Sequence, residues 1–148
     1  MRIKPILLAL LIIAGTTATS CVVNRAVAVV PSKTLGADGT RDSVVAVVAR
    51  IVQHHGATEF IPDQPEEHWV RCFMVKGAII LCGKQNKGET QLHMYTRPGA
   101  RFWLDSLNRE VLDSLRRGFG NASVRECGWR LSGKPEGSGC RVANPIGG

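Results

Sequence analysis

Five cysteines and four histidines are the side chains here best able to bind a metal, attack a carbonyl or change redox state. The histidines are His54, His55, His68 and His93. His54 and His55 are adjacent, and neighbours on a helix point about 100° apart, so the pair is a poor chelate. Asp63, Glu66 and Glu67 lead into His68, which offers a carboxylate–imidazole pair for acid–base work. The simpler reading is an exposed loop with histidines at strand edges. G-x-S-x-G, H-E-x-x-H, the phosphate-binding loop and G-x-G-x-x-G are all absent. The sequence therefore assigns no catalytic residue, no metal site and no cofactor.

The residues before Cys21 differ from the rest. Arg2 and Lys4 open the chain, Ile6–Ala14 is unbroken apolar sequence, and Gly15–Ser20 is small and hydroxyl-rich. Charged, apolar and small-residue regions in that order make a secretory leader. The apolar run is about half of the roughly 20 residues that a spanning helix needs. Ala18-Thr19-Ser20-Cys21 resembles a bacterial lipobox, with Ala18 where the usual motif has Leu. The resemblance covers the leader alone and points to a bacterial lipoprotein. It implies that residues 1–20 are removed and that Cys21 is acylated and held at a membrane. Val22 stands where inner-membrane retention signals often have Asp, which favours the outer membrane. The rival cut follows Ala26-Val27-Ala28, an A-x-A site for ordinary export, which would leave a soluble periplasmic or secreted protein.

With Cys21 set aside, Cys72, Cys82, Cys127 and Cys140 form an even set, which in an oxidising compartment reads as two disulfides. Cys72 and Cys82 are symmetric about Gly77, so a hairpin with a three-residue loop there would set them opposite one another. Cys127 and Cys140 bracket a Gly/Ser/Pro-rich segment able to fold back. The local pairs Cys72–Cys82 and Cys127–Cys140 are the expectation.

These residues need a scaffold. Val44, Val45, Val47, Val48, Ile51 and Val52 make one helical stripe over 41–55, with Gly56 as its stop. Strands are expected at His68–Val75, Ala78–Gly83 and Thr90–Tyr95, then a helix over Gly99–Arg117 closed by Gly118, and a last strand at Ala122–Leu131. On that second helix Arg101, Asp105, Arg109, Asp113 and Arg117 alternate in sign, as on a solvated face. The fold class is α+β: two helices packed on an antiparallel sheet of about four strands, in the order α-β-β-β-α-β, stapled by disulfides. The leader is 1–20, a lipidated N-terminus and tether 21–39, and the folded domain 40–148.

Composition bounds the function. The chain has 148 residues, 44 % hydrophobic and 21 % charged, which suits one globular domain and excludes a wholly disordered chain. The net charge is +7, and loss of Arg2 and Lys4 with the leader leaves +5. Most of that charge lies beyond residue 75, where Lys84, Lys87 and Arg97 are a candidate anion-binding patch. Nucleic acid is not an expected partner, because interleaved stacking aromatics are missing. The expectation is a non-catalytic envelope lipoprotein whose small periplasmic domain binds a protein or an anionic cell-wall or lipid partner, with inhibitor, immunity or assembly roles in that class. The alternatives are a structural component of an outer-membrane assembly and a small envelope hydrolase built on His68 or His93.

Overall fold

Both apolar stripes become helices of 19 residues that lie on the same face of an antiparallel sheet. The computed structural model describes residues 23–61, 68–129 and the short strand 135–136. In chain order the elements are β1 (Val23–Val29), α1 (Gly36–His54), β2 (Thr58–Phe60), β3 (Arg71–Val75), β4 (Ala78–Asn86), β5 (Glu89–Thr96), α2 (Arg101–Phe119), β6 (Val124–Trp129) and β7 (Pro135–Glu136). The strands lie in the order β2-β3-β4-β5-β1-β6, with the two-residue β7 on the outer edge of β6. The α+β class holds, but the sheet has six strands where about four were expected.

The added strand of most consequence is β1. Its residues fall within the expected tether 21–39, yet β1 lies between β5 and β6 and joins them. Ala26, Val27, Ala28 and Val29 are all buried. Val27 and Val29 face the helices with Leu92, while Ala26 and Ala28 meet Cys127 on the other face. Arg25 carries a charge into this strand. Its guanidinium reaches Asp105 of α2 at 2.7 Å, so the charge is neutralised by a residue 80 positions away.

The core follows from period. On α1, Val44, Val45, Val48, Ile51 and Val52 turn inward, and on α2 Leu104, Leu107, Val111 and Leu115 do so. Phe73, Ile80, Leu92 and Met94 meet them from the sheet. The first helix begins at Gly36, a turn earlier than its stripe suggests. Ser32 and Thr40 hold that end, since the Ser32 amide donates to Thr40 Oγ1 and Thr40 donates to the Gly36 carbonyl. Its other end is a Schellman turn: Gly56 takes φ +81°, the Ala57 amide donates to Val52 and the Gly56 amide to Gln53. The second helix runs through Gly118, the expected stop, and ends at Gly120 with φ +88°.

Two hairpin turns set the register, and both are Lys-Gly. Lys76-Gly77 and Lys87-Gly88 have positive φ at both central residues, the type I′ geometry that matches strand twist. Because the first loop has two residues, Val75 pairs with Ala78, Cys72 lies opposite Leu81 and Arg71 opposite Cys82. The expected three-residue loop was one residue too long. A slip of one residue sends a side chain to the opposite face. Cys82 accordingly enters the helix-covered core, Cys72 points to the other face, and both are free thiols. The expected Cys72–Cys82 disulfide is therefore absent. Cys127 is disulfide-bonded, and its partner lies outside the described residues.

A bulge at Gly83 shifts the β4–β5 register between Cys82 and Lys84. Gly83 has φ +92°, and a Cβ there would fall 2.7 Å from Val70 Cβ and 2.8 Å from Val45 Cγ2. Strain and overlap act together, so Gly83→Ala should lower unfolding stability by about 2–4 kcal/mol in a denaturant titration. Lys87→Asn should raise it by about 0.5–1 kcal/mol, because Asn tolerates the left-handed region. The same change at Lys76 should gain less. The ammonium of Lys76 stands 5.4 Å from the Trp103 ring centre, and that contact would be lost.

Candidate binding groove

The face of the sheet away from the helices carries the candidate site. Met74, Ile79 and Tyr95 stand in one row across β3, β4 and β5, with Met74 opposite Ile79 and Ile79 opposite Tyr95. Met74 is 50 % exposed and Ile79 37 %, an unusual state for two neighbouring large apolar side chains in mid-sheet. The row floors an open groove of about 730 Å³. Its walls are the Lys76-Gly77 turn and the single 3₁₀ turn Pro98–Ala100, where Gly77, Gly99 and Ala100 leave room for a ligand. Lys76 and Arg97 stand at the same end, and no acidic residue lines it.

Tyr95 links the groove to a polar cluster on the same face. Its hydroxyl lies 3.0 Å from Nδ1 of His93, and the Trp69 ring packs against His93 with centres 4.8 Å apart. Lys84 Nζ sits 5.4 Å from the Trp69 ring centre. His93 is thus wedged between rings, as a packed and hydrogen-bonded histidine. Further along this face Arg125 is ion-paired with the buried Glu89.

The remaining candidates are dispersed. Lys84 lies over Trp69, Lys87 is in the turn that opens β5, and Arg97 follows the far end of that strand. Eight residues of strand separate Lys87 from Arg97 by roughly 25 Å, so the three cations do not form one anion patch. His54 and His55 meet edge-to-face at the end of α1, and His55 contacts Glu110 of α2 at 2.8 Å. His68 is exposed in the segment before β3. Asp63, Glu66, Glu67, Cys21 and Cys140 lie outside the described residues. Among the described residues no three His, Cys, Asp or Glu side chains gather into a metal site.

The alternating-charge face of α2 is partly consumed by the fold. Asp105 is held by Arg25, with Arg101 at 3.7 Å, and the buried Asn108 donates to Glu126 of β6. The cleft they line carries charges of both signs. By contrast, Lys76 and Arg97 line a groove without acids, and the Lys76 ammonium stands beside the Trp103 ring. Sequence reasoning missed the groove because Arg71–Val75 and Ala78–Cys82 are apolar on both faces of the strand. Only the register separates the exposed Met74 and Ile79 from the buried Phe73 and Ile80.

The two thiols are chemically quiet. Burial raises the Cys72 thiol above its ordinary value, with the Glu59 carboxylate adding to it. Burial pushes Cys82 from 9.0 up to about 12, with Cys72 adding to it. Thiolate is the reactive form, so native Cys82 should resist iodoacetamide at pH 8 and react after unfolding, read by peptide mass. The folded pKa is raised, so its contribution to stability is complete below pH 9 and fades as pH climbs towards 12. Alkaline titration should therefore lower the melting temperature over that window, and less so in Cys82→Ala. No family model matches this chain and no curated protein matches it in sequence.

Proposed function

We propose that this chain is a non-catalytic lipoprotein of the cell envelope, acylated on Cys21, whose small domain binds its partner through the sheet face that carries the groove. The observation that carries the reading is the position of β1. A cut after Ala28 would remove Ala26 and Ala28 and leave the mature chain starting at Val29. The strand that joins β5 to β6, with its buried Ala26–Ala28, would be lost. A cut before Cys21 keeps the whole strand. The groove supports a binding role, since a concave, mostly apolar site with a few charged groups is the usual form of a ligand site, and this one has an exposed apolar row beside two cations.

The rest of the reading follows from export. Val22 after the cysteine favours the outer membrane, with the domain facing the periplasm. Cys127 pairs with Cys140 in this reading, while Cys72 and Cys82 stay reduced because each is buried and they face opposite ways. The partner is a protein or an anionic cell-wall or lipid component.

Growth with radiolabelled palmitate tests acylation directly. The wild-type chain should take up label and fractionate with membranes, whereas Cys21→Ser should do neither. A wild-type chain that stays unlabelled in the soluble periplasmic fraction would overturn the reading.

A further inference from the structure

The groove has a fixed relation to the N-terminus. β1 enters the sheet with Val23 opposite Thr96, and Thr96 lines the groove beside Arg97. Cys21 is two residues before Val23, so extended chain carries it no farther than about 7 Å from that point. A lipid on Cys21 therefore holds this end of the sheet against the bilayer, with almost no slack.

We infer that the groove end of the sheet is a bilayer-docking surface. Lys76 and Arg97 take the phosphate of an anionic phospholipid, and Met74, Ile79 and the face of Tyr95 lie against its acyl chain. This rests on the acylation of Cys21 proposed above.

Four observations converge on that end. First, Lys76 and Arg97 flank the groove with no lining acid, which suits an anionic headgroup. Second, Met74, Ile79 and Tyr95 form an apolar row of two inter-strand steps, about 10 Å, between the Lys76 turn and Arg97, so an acyl chain has a surface to lie against beside the cations. Third, Phe102 follows the wall segment Pro98–Ala100 and is 88 % exposed, with the exposed Arg101 beside it. An exposed aromatic next to cations is the composition of an interfacial membrane contact. Fourth, Asp105, the acid nearest in sequence, is occupied by Arg25 and so subtracts little from the field. The opposite end of the β4–β5 hairpin, with Lys87 and Gly88, points away from the membrane.

Site-directed fluorescence on the acylated protein tests the orientation. Ile79→Cys and, separately, Lys87→Cys are labelled with an environment-sensitive fluorophore, while the buried Cys72 and Cys82 are spared. Each protein, its palmitate content verified, is reconstituted into vesicles of phosphatidylethanolamine and phosphatidylglycerol. The label at 79 should shift to the blue and be quenched by a lipid-phase quencher, and the label at 87 should stay water-like. Lys76→Glu with Arg97→Glu should abolish the shift at 79 with acylation and melting temperature retained, and Lys76→Gln with Arg97→Gln should weaken it. Labels at 79 and 87 that behave alike, or a shift at 79 indifferent to charge reversal, would overturn the inference. If no palmitate is found, the lipoprotein reading fails by itself, and the unacylated chain is floated with the same vesicles. Salt-sensitive binding, weakened about fivefold for each cation removed, would then still support the docking surface. Absence of flotation would overturn it.

Discussion

Everything in this molecule depends on β1 being held between β5 and β6. Seven residues supply both neighbours with their hydrogen-bonding partner and place Val27 and Val29 under the helices. Each buried Val contributes on the order of 1.5–3 kcal/mol of hydrophobic stabilisation, so the strand cannot be given up cheaply. Backbone pairing does the rest, because an unpaired strand edge in mid-sheet would leave buried polar groups without partners. The Arg25–Asp105 ion pair then clamps β1 to α2. A strand so committed has fixed ends, and one of those ends is two residues from Cys21.

That constraint connects the N-terminal side of the chain to the sheet. A long tether would let the domain tumble freely above a membrane and would give no face precedence. With Cys21 acylated as proposed there would be no slack, so the Val23–Thr96 end would be the membrane-proximal end and the exposed residues there would share one environment. Met74, Ile79 and Phe102 are costly in water and stabilising in an interface, whereas Lys76 and Arg97 suit a layer of anionic headgroups. The bulge at Gly83 has a complementary effect at the other end. It turns Lys84 onto the groove face, where its ammonium rests on Trp69.

Much of the fold was legible where one period governs a segment. The Val44–Val52 and Leu104–Leu115 stripes identify both helices, because a helix with one buried face has no other way to write itself. β3, β4 and β5 were legible from their β-branched and apolar runs. β1 was not. Asn24 and Arg25 interrupt its apolar residues, and the partner that absorbs the arginine, Asp105, is far away in sequence. The Cys72–Cys82 expectation turned on a single residue of loop length, since Lys at a positive-φ position does not announce a two-residue turn as Asn would. The groove was illegible for the same reason: exposure of Met74 and burial of Phe73 follow from register, not from residue type. The supposed patch of Lys84, Lys87 and Arg97 combined residues near in sequence that an extended strand carries apart.

Intact mass of the native protein from its own membrane fraction tests most directly whether the mature chain begins at Cys21 and keeps β1 whole, as proposed. The expected result is a chain starting at Cys21 with added acyl mass, and one disulfide's worth of hydrogen gained on reduction. A chain starting at Val29, without β1 and without lipid, would contradict it.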